Sequence, residues 1–460
     1  ISKQKDEIKK ANLLLQLEEL IYSEDNKLAL TNADEIIEIG KKHKIDSLIA
    51  KGYYYKALTN NAIYNYELSN KQFDSALNIS NVLQDTIMIV NILNSQASNL
   101  YDDQKYSESL EKIKKSMQIC QKKRLTTQLV EAYNTIGLIF SSVGNYDKSL
   151  EYFYKCIEID SLNNNYLGLG KAYNNIGRVY AMKNELQNTI LYYNKSFYYL
   201  SQIKDTFSLA VLFSNIGNNY LQMKEYNKVL SFYFKSLELR KSYNDKRGIA
   251  NVLNNISVYY IYLKTYDSAL IYLDSSLHYY TQIDDYRGIA NCYSNISIIY
   301  RDLNQLEKSV LYIQKAIDIR QEKKDIWGLA LSYIAMGKIF VKQNKFSLAI
   351  EYFNKSEELA KLIDNKKIIA DCYSLKAECY ENLKDFKNAY LNYKLYIGIF
   401  DTIYSENTQK QILELQTKYE VNQKDFELEL LDNQFKLKEA ENKQKQQKIF
   451  QQRIIIILTL

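Results

Sequence analysis

NTIGLIFSSVGNYDKSLEYFYKC, running from Asn134 to Cys156, decides how this chain is read. Forty residues on stands NNIGRVYAMKNELQNTILYYNKS, and forty further SNIGNNYLQMKEYNKVLSFYFKS. The phrase returns as NNISVYYIYLKTYDSALIYLDSS, SNISIIYRDLNQLEKSVLYIQKA and IAMGKIFVKQNKFSLAIEYFNKS. A weaker last copy is SLKAECYENLKDFKNAYLNYKLY. A period of this size means stacked supersecondary units, each burying one face on its neighbours, rather than a single globular core.

Each unit reads as two helices with a short polar turn between them. In the first helix Tyr133, Ile136 and Phe140 are spaced by three and four, and so are Tyr173, Ile176 and Tyr180, which puts each set on one helical face. Among them runs a column of small residues: Gly137, Gly177, Gly217, Ser257, Ser297, Gly337, Ala377. Glycine inside a helix costs about 1 kcal/mol relative to alanine, so the column predicts close approach of a partner helix. The second helix carries small residues at Ser149, Thr189 and Ala269 and large ones four positions on, at Phe153, Tyr193 and Leu273. Small residues follow again at Cys156, Ser196 and Ser276. Small facing large lets antiparallel helices interdigitate.

Aromatic, small, aromatic in the first helix, then small, aromatic, small in the second, resembles the tetratricopeptide repeat (TPR). The 40-residue period is similar to the longer subclass found in kinesin light chains, Pins-type scaffolds and bacterial peptide-pheromone receptors. The resemblance implies an all-α fold, a right-handed TPR solenoid of about nine helix pairs, followed by a long coiled-coil helix. One departure is the proline that often closes such a repeat: the chain contains none, and Ser161, Ser201 and Lys241 hold that place.

Four regions are expected. Residues 1–45 lack the repeat signature and read as an atypical N-terminal helical cap, as end repeats often are. Residues 46–400 form the solenoid, with irregular spacing at its start: FDSAL at Phe73 and YSESL at Tyr106 lie 33 apart. Residues 401–453, rich in Gln, Lys, Glu and Leu, read as a coiled-coil linker helix. Ile412, Leu415, Tyr419 and Phe426 follow a heptad frame that slips before Leu430 and Leu437. Residues 454–460 open an apolar run that reads as the start of a truncated transmembrane helix, a span needing about 20 residues. The first residue is Ile1, so the chain is expected to be a fragment or a processed form.

That order resembles the sensor half of bacterial membrane-anchored TPR histidine kinases or helix-turn-helix regulators. The resemblance implies an inner-membrane protein with an extracytoplasmic repeat array, although Lys436, Lys438, Lys443, Lys445, Lys448 and Arg453 favour a cytoplasmic flank. A TPR scaffold without signalling output and a soluble peptide-pheromone receptor are the alternatives.

The chemistry of catalysis is missing from the sequence. His43 and His278 are the only histidines, and there is no P-loop, G-x-S-x-G or H-E-x-x-H. No enzyme activity, cofactor or metal is expected, and any kinase activity would lie beyond Leu460. A net charge of +6 without a basic stripe argues against nucleic acid. The 43 tyrosines fall mostly in packing columns, and five cysteines, Cys120, Cys156, Cys292, Cys372 and Cys379, read as small buried hydrophobes.

What packing leaves over is asparagine. Asn134, Asn174 and Asn254 share one column of the first helix. Asn175, Asn215, Asn255 and Asn295 share the next, and Asn218 lies one turn along. By resemblance the first helix lines the concave groove of a TPR superhelix, where an amide offers a donor and an acceptor to an extended peptide backbone. These eight residues are the expected binding site for a peptide or protein ligand. The expected further partners are a second copy, pairing through the C-terminal coiled coil, and a membrane.

Overall fold

In the computed structural model the described residues are 2–22 and 26–403, and they form helices joined by short turns. Two of these open the chain, α1 (Ser2–Ile21) and α2 (Asn26–His43). Then come α3 (Asp46–Ala62), α4 (Tyr66–Val82), α5 (Thr86–Asp102), α6 (Tyr106–Lys123), α7 (Thr126–Ser142) and α8 (Tyr146–Leu162). The middle holds α9 (Tyr166–Met182), α10 (Leu186–Gln202), α11 (Thr206–Gln222), α12 (Tyr226–Ser242), α13 (Lys246–Tyr262) and α14 (Tyr266–Gln282). The last are α15 (Tyr286–Asp302), α16 (Leu306–Glu322), α17 (Ile326–Lys342), α18 (Phe346–Leu362), α19 (Lys366–Asn382) and α20 (Phe386–Ile403). Two compact units divide at Tyr393 and Lys394, and the solenoid described below is the first.

From α3 onward a helix begins every twenty residues, so the repeat is regular from its start. The irregular spacing expected from FDSAL is therefore corrected. Phe73 does not correspond to Tyr106; it fills the buried column of Ile113 and Phe153, all fully buried. Aromatic and small columns recur seven residues apart within the second helix, so FDSAL resembles YSESL one step out of register.

The turns explain how the chain dispenses with proline. Every twentieth residue from Lys44 to Lys384 has positive φ, with Gly144 the glycine of the series. Each follows a helix end and closes a Schellman-type cap: Asn145 N–H reaches the Phe140 carbonyl at 2.8 Å while Gly144 N–H reaches Ser141 at 3.2 Å. Several of the odd-numbered helices are then started by an acidic or amide side chain. Asp245, Asp285 and Asp325 accept the N–H of Gly248, Gly288 and Gly328 at 2.8, 2.9 and 3.1 Å.

Close approach at the small column is real, and it is made by the aromatic of the paired helix. A Cβ at Gly177 would lie 2.5 Å from the Tyr193 ring, at Gly217 2.6 Å from Tyr233 and at Gly137 2.7 Å from Phe153. Where the partner is Leu273 or Ile313, serine replaces glycine, at Ser257 and Ser297. Serines of the second helix also bond across the seam: Ser149 donates to the Gly137 carbonyl at 2.7 Å and Ser236 to Ala210 at 2.7 Å. Tyrosines stack between the two helices of a pair, as Tyr180 does on Tyr192, with centroids 5.3 Å apart.

Successive odd-numbered helices touch one another all along the first unit, from α1 and α3 to α17 and α19. Among the described residues, successive even-numbered helices make no comparable contact. In a curved stack the inner layer is the crowded one, so the odd helices line the inner face and the even helices lie outside.

The expected inner-membrane location is corrected. Among the described residues no helix is long and apolar enough to cross a membrane. Most are 17 residues with a polar outer stripe, against the roughly 20 predominantly apolar residues a bilayer demands. The extracytoplasmic placement of the array, which depended on a span, falls with it. The coiled-coil frame from Ile412 onward and the apolar run at 454–460 lie outside the described residues.

Candidate functional site

The inner face is built from odd helices, and the asparagines sit on it in pairs. Asn175 Nδ2 on α9 donates to Asn134 Oδ1 on α7 at 2.8 Å. Asn215 on α11 donates in the same way to Asn174 on α9 at 3.1 Å, and Asn295 on α15 to Asn254 on α13 at 2.9 Å. Each bond spans 41 residues, from one column of one repeat to the next column of the following repeat. Six of the eight expected site residues are thus brought together two by two.

The other two behave differently. Ser214 stands where Asn134 and Asn174 stand, and its hydroxyl shares a 2.8 Å bond with Ser236. Asn255, next in the ladder, has no such bond among the described residues. Asn218 is exposed, and its Oδ1 accepts from the Tyr233 hydroxyl at 2.6 Å.

A paired amide is only half used. The donor of each pair keeps its carbonyl oxygen, and the acceptor keeps both N–H groups. All six paired side chains are half-buried, and the bond within each pair sets the orientation of the remaining amide groups. One turn further along the same face stand Leu138, Arg178, Asn218, Val258, Ile298 and Lys338, a mixed apolar and basic lining.

Two further asparagines were missed by the sequence reading. Asn251 Oδ1 accepts from the Tyr280 hydroxyl at 2.6 Å, and Asn291 Oδ1 accepts from the buried Arg320. The signal was present as a duplicated string, D-x-R-G-I-A-N, at 245–251 and 285–291. It belongs to the repeat's first turn, outside the phrase used to align the copies.

The cysteines are buried in the helix packing, and burial pushes the thiols of Cys156 and Cys379 up to about 12 and those of Cys292 and Cys372 up to about 11. Thiols so placed are poor nucleophiles at neutral pH. His43 bonds Glu7 between α1 and α2, and His278 bonds Gln282 on α14, so the two histidines serve separate local contacts.

A model of the tetratricopeptide repeat family matches residues 128–199 and 248–322, and a second such model matches 330–361. These stretches are tetratricopeptide repeats. No curated protein matches it. Among solved structures, a Rap protein complexed with competence and sporulation factor is similar at 13% identity, over 78% of this chain and 99% of that one, with a TM-score of 0.50. The Rap conjugation gene regulator of the plasmid pLS20, in complex with the Phr* peptide, is similar at 15% identity over 69% and 96%, with the same TM-score of 0.50. At these identities the likeness is one of TPR fold.

Proposed function

We propose that this TPR protein is a peptide receptor, which holds an extended segment along its inner face through the asparagine pairs of the odd helices. The observation that carries the reading is the ladder itself. Three amide pairs repeat at one register on the odd helices, and each keeps an unused carbonyl and unused N–H groups. A peptide backbone presents the same donor and acceptor alternation, and its rise suits the ladder. Packed helices stand about 8–10 Å apart, the length of roughly three extended residues. From α7 to α15 the ladder then matches a peptide of about ten residues. That a Rap regulator of similar fold is in complex with a peptide supports the class of ligand.

The test uses peptides selected from a displayed random library against the full chain. Replacing Asn175, Asn215 and Asn255 together by alanine is expected to weaken the selected peptide by about 100-fold, three backbone hydrogen bonds at roughly 1 kcal/mol each. Equal binding of that peptide to the triple variant, with helicity retained, overturns the assignment.

A further inference from the structure

Among the described residues, eighteen turn residues take the left-handed conformation, and all but one are Gly, Asn, Asp, Lys, Gln or Arg. The exception is Tyr64, at φ 62°. A bulky aromatic gains nothing locally from that region, and a residue held there points to a role elsewhere. Its hydroxyl bonds a residue 221 positions away.

The geometry is specific. The Tyr64 hydroxyl donates to Asp285 Oδ2 at 3.1 Å. The guanidinium groups of Arg247 and Arg287 lie over its ring, at 5.3 and 4.7 Å from the centroid, and Tyr286 meets it edge-on at 5.5 Å. Arg287 Nη1 donates to the Tyr66 hydroxyl at 2.8 Å, and its guanidinium lies 5.0 Å from the Tyr66 ring centroid. Behind this contact Arg247 pairs with Asp285 at 3.2 Å and Arg287 with Asp325 at 3.8 Å, linking the first turns of α13, α15 and α17. Burial follows from the docking. Tyr66 is 7% exposed, while Tyr106, Tyr146, Tyr226 and Tyr266 in the same column stay half-exposed. Asp285 is 2% exposed, while Asp85, in the same capping position, is open to solvent.

The two partners sit on opposite edges of the stack. Tyr64 lies in a turn from an odd helix to an even one, and Asp285 in a turn from an even helix to an odd one. Such turns meet only if the ribbon has wound round until one edge reaches the other. The 221 residues between them, about five and a half repeats, make one closed turn.

We propose that Tyr64 and the Arg247–Arg287 pair form a latch that closes this turn of the solenoid. The latch sets the curvature of the odd-helix face, and its opening and closing are coupled to occupancy of the groove. The coupling rests on the peptide-receptor reading; the latch does not. Nothing in nearest-neighbour repeat packing supplies such a contact, since each unit of a solenoid ordinarily touches only the next.

Spin labels on two exposed positions flanking the seam, Leu68→Cys and Gln321→Cys, report its state in the full chain by dipolar distance measurement. The native cysteines are buried and stay unlabelled under native conditions. One narrow, short distance is expected for the parent. Arg287→Glu is expected to lengthen and broaden it. Tyr64→Gly, which removes the ring and relieves the backbone strain at once, is expected to do the same with no loss of helicity. An unchanged distribution in both variants overturns the latch. A selected groove peptide at saturation is expected to shift the parent distribution. If it binds and leaves the distribution unmoved, the coupling is overturned and the latch stands. Failure of the asparagine variant to weaken that peptide bears on the groove reading alone.

Discussion

The asparagine ladder and the Tyr64 seam both hold the solenoid's inner curvature, but at different ranges. The ladder joins helices that are neighbours in the stack, 41 residues apart, and is repeated at one register. The seam joins edges 221 residues apart and occurs once. A contact of the first kind adds stability between adjacent repeats and lets the array fray unit by unit. A contact of the second kind ties the α3–α4 turn to α13 and α15, so the repeats between them no longer respond independently.

The largest effect is expected from the local side. Phe153 is fully buried under Gly137, and Phe153→Ala removes a ring from a position where nothing else reaches. A loss of about 3–5 kcal/mol is expected by chemical denaturation. Hydrogen exchange should rise in α7, α8 and α9 first. Equal acceleration at the seam, at α4 and α15, would show that the array behaves as one block, with no difference between local and long-range contacts.

Next comes the seam. Across the seam Arg287→Ala removes two ring contacts and a hydrogen bond and leaves the Tyr66 hydroxyl without its donor, and on its own side it removes the contacts with Tyr286 and the ion pair with Asp325. Roughly 2 kcal/mol is expected, from about 0.5–1 for each cation–π contact and about 1 for the bond. The pattern of hydrogen exchange is the sharper readout. Amides of α4 and α15 should exchange faster together although they are far apart in sequence. Faster exchange confined to α15 would reduce Arg287 to a local capping residue.

These two features were unequally legible in the sequence. Periodicity exposes whatever recurs: the Gly137 column, its aromatic partners and both asparagine columns stand out because their copies align forty residues apart. The bond between Asn134 and Asn175 was less visible. It joins two different columns in different copies, which alignment places side by side rather than against each other. The start of the array is ambiguous in sequence at Phe73 because small and large columns repeat within one helix as well as between helices. The seam depends on how many repeats close a turn, a consequence of small rotations added over five and a half units, and no single repeat encodes that number. Its traces in the sequence are breaks in pattern: a tyrosine at the turn position otherwise held by Gly144, Asn164 or Asp284, and arginine at 247 and 287 where Phe207 and Trp327 stand in other copies.

The smallest effects divide the ladder within itself. Asn175→Ala breaks a 2.8 Å bond to Asn134 between half-buried amides, and about 1 kcal/mol of stability should go with it. Asn255 occupies the same column but faces Ser214, whose hydroxyl is taken by Ser236. Asn255→Ala should therefore change stability by less than about 0.5 kcal/mol, as for a substitution that removes no fold contact. Its amide retains its full capacity to bond, so a groove peptide should lose about fivefold in affinity through one backbone hydrogen bond of roughly 1 kcal/mol. Thermal melts and peptide titrations on the two single variants thus separate fastening from recognition. If Asn255→Ala leaves both unchanged while Asn175→Ala lowers both, the ladder fastens repeats together, and peptide affinity follows only from the shape it maintains.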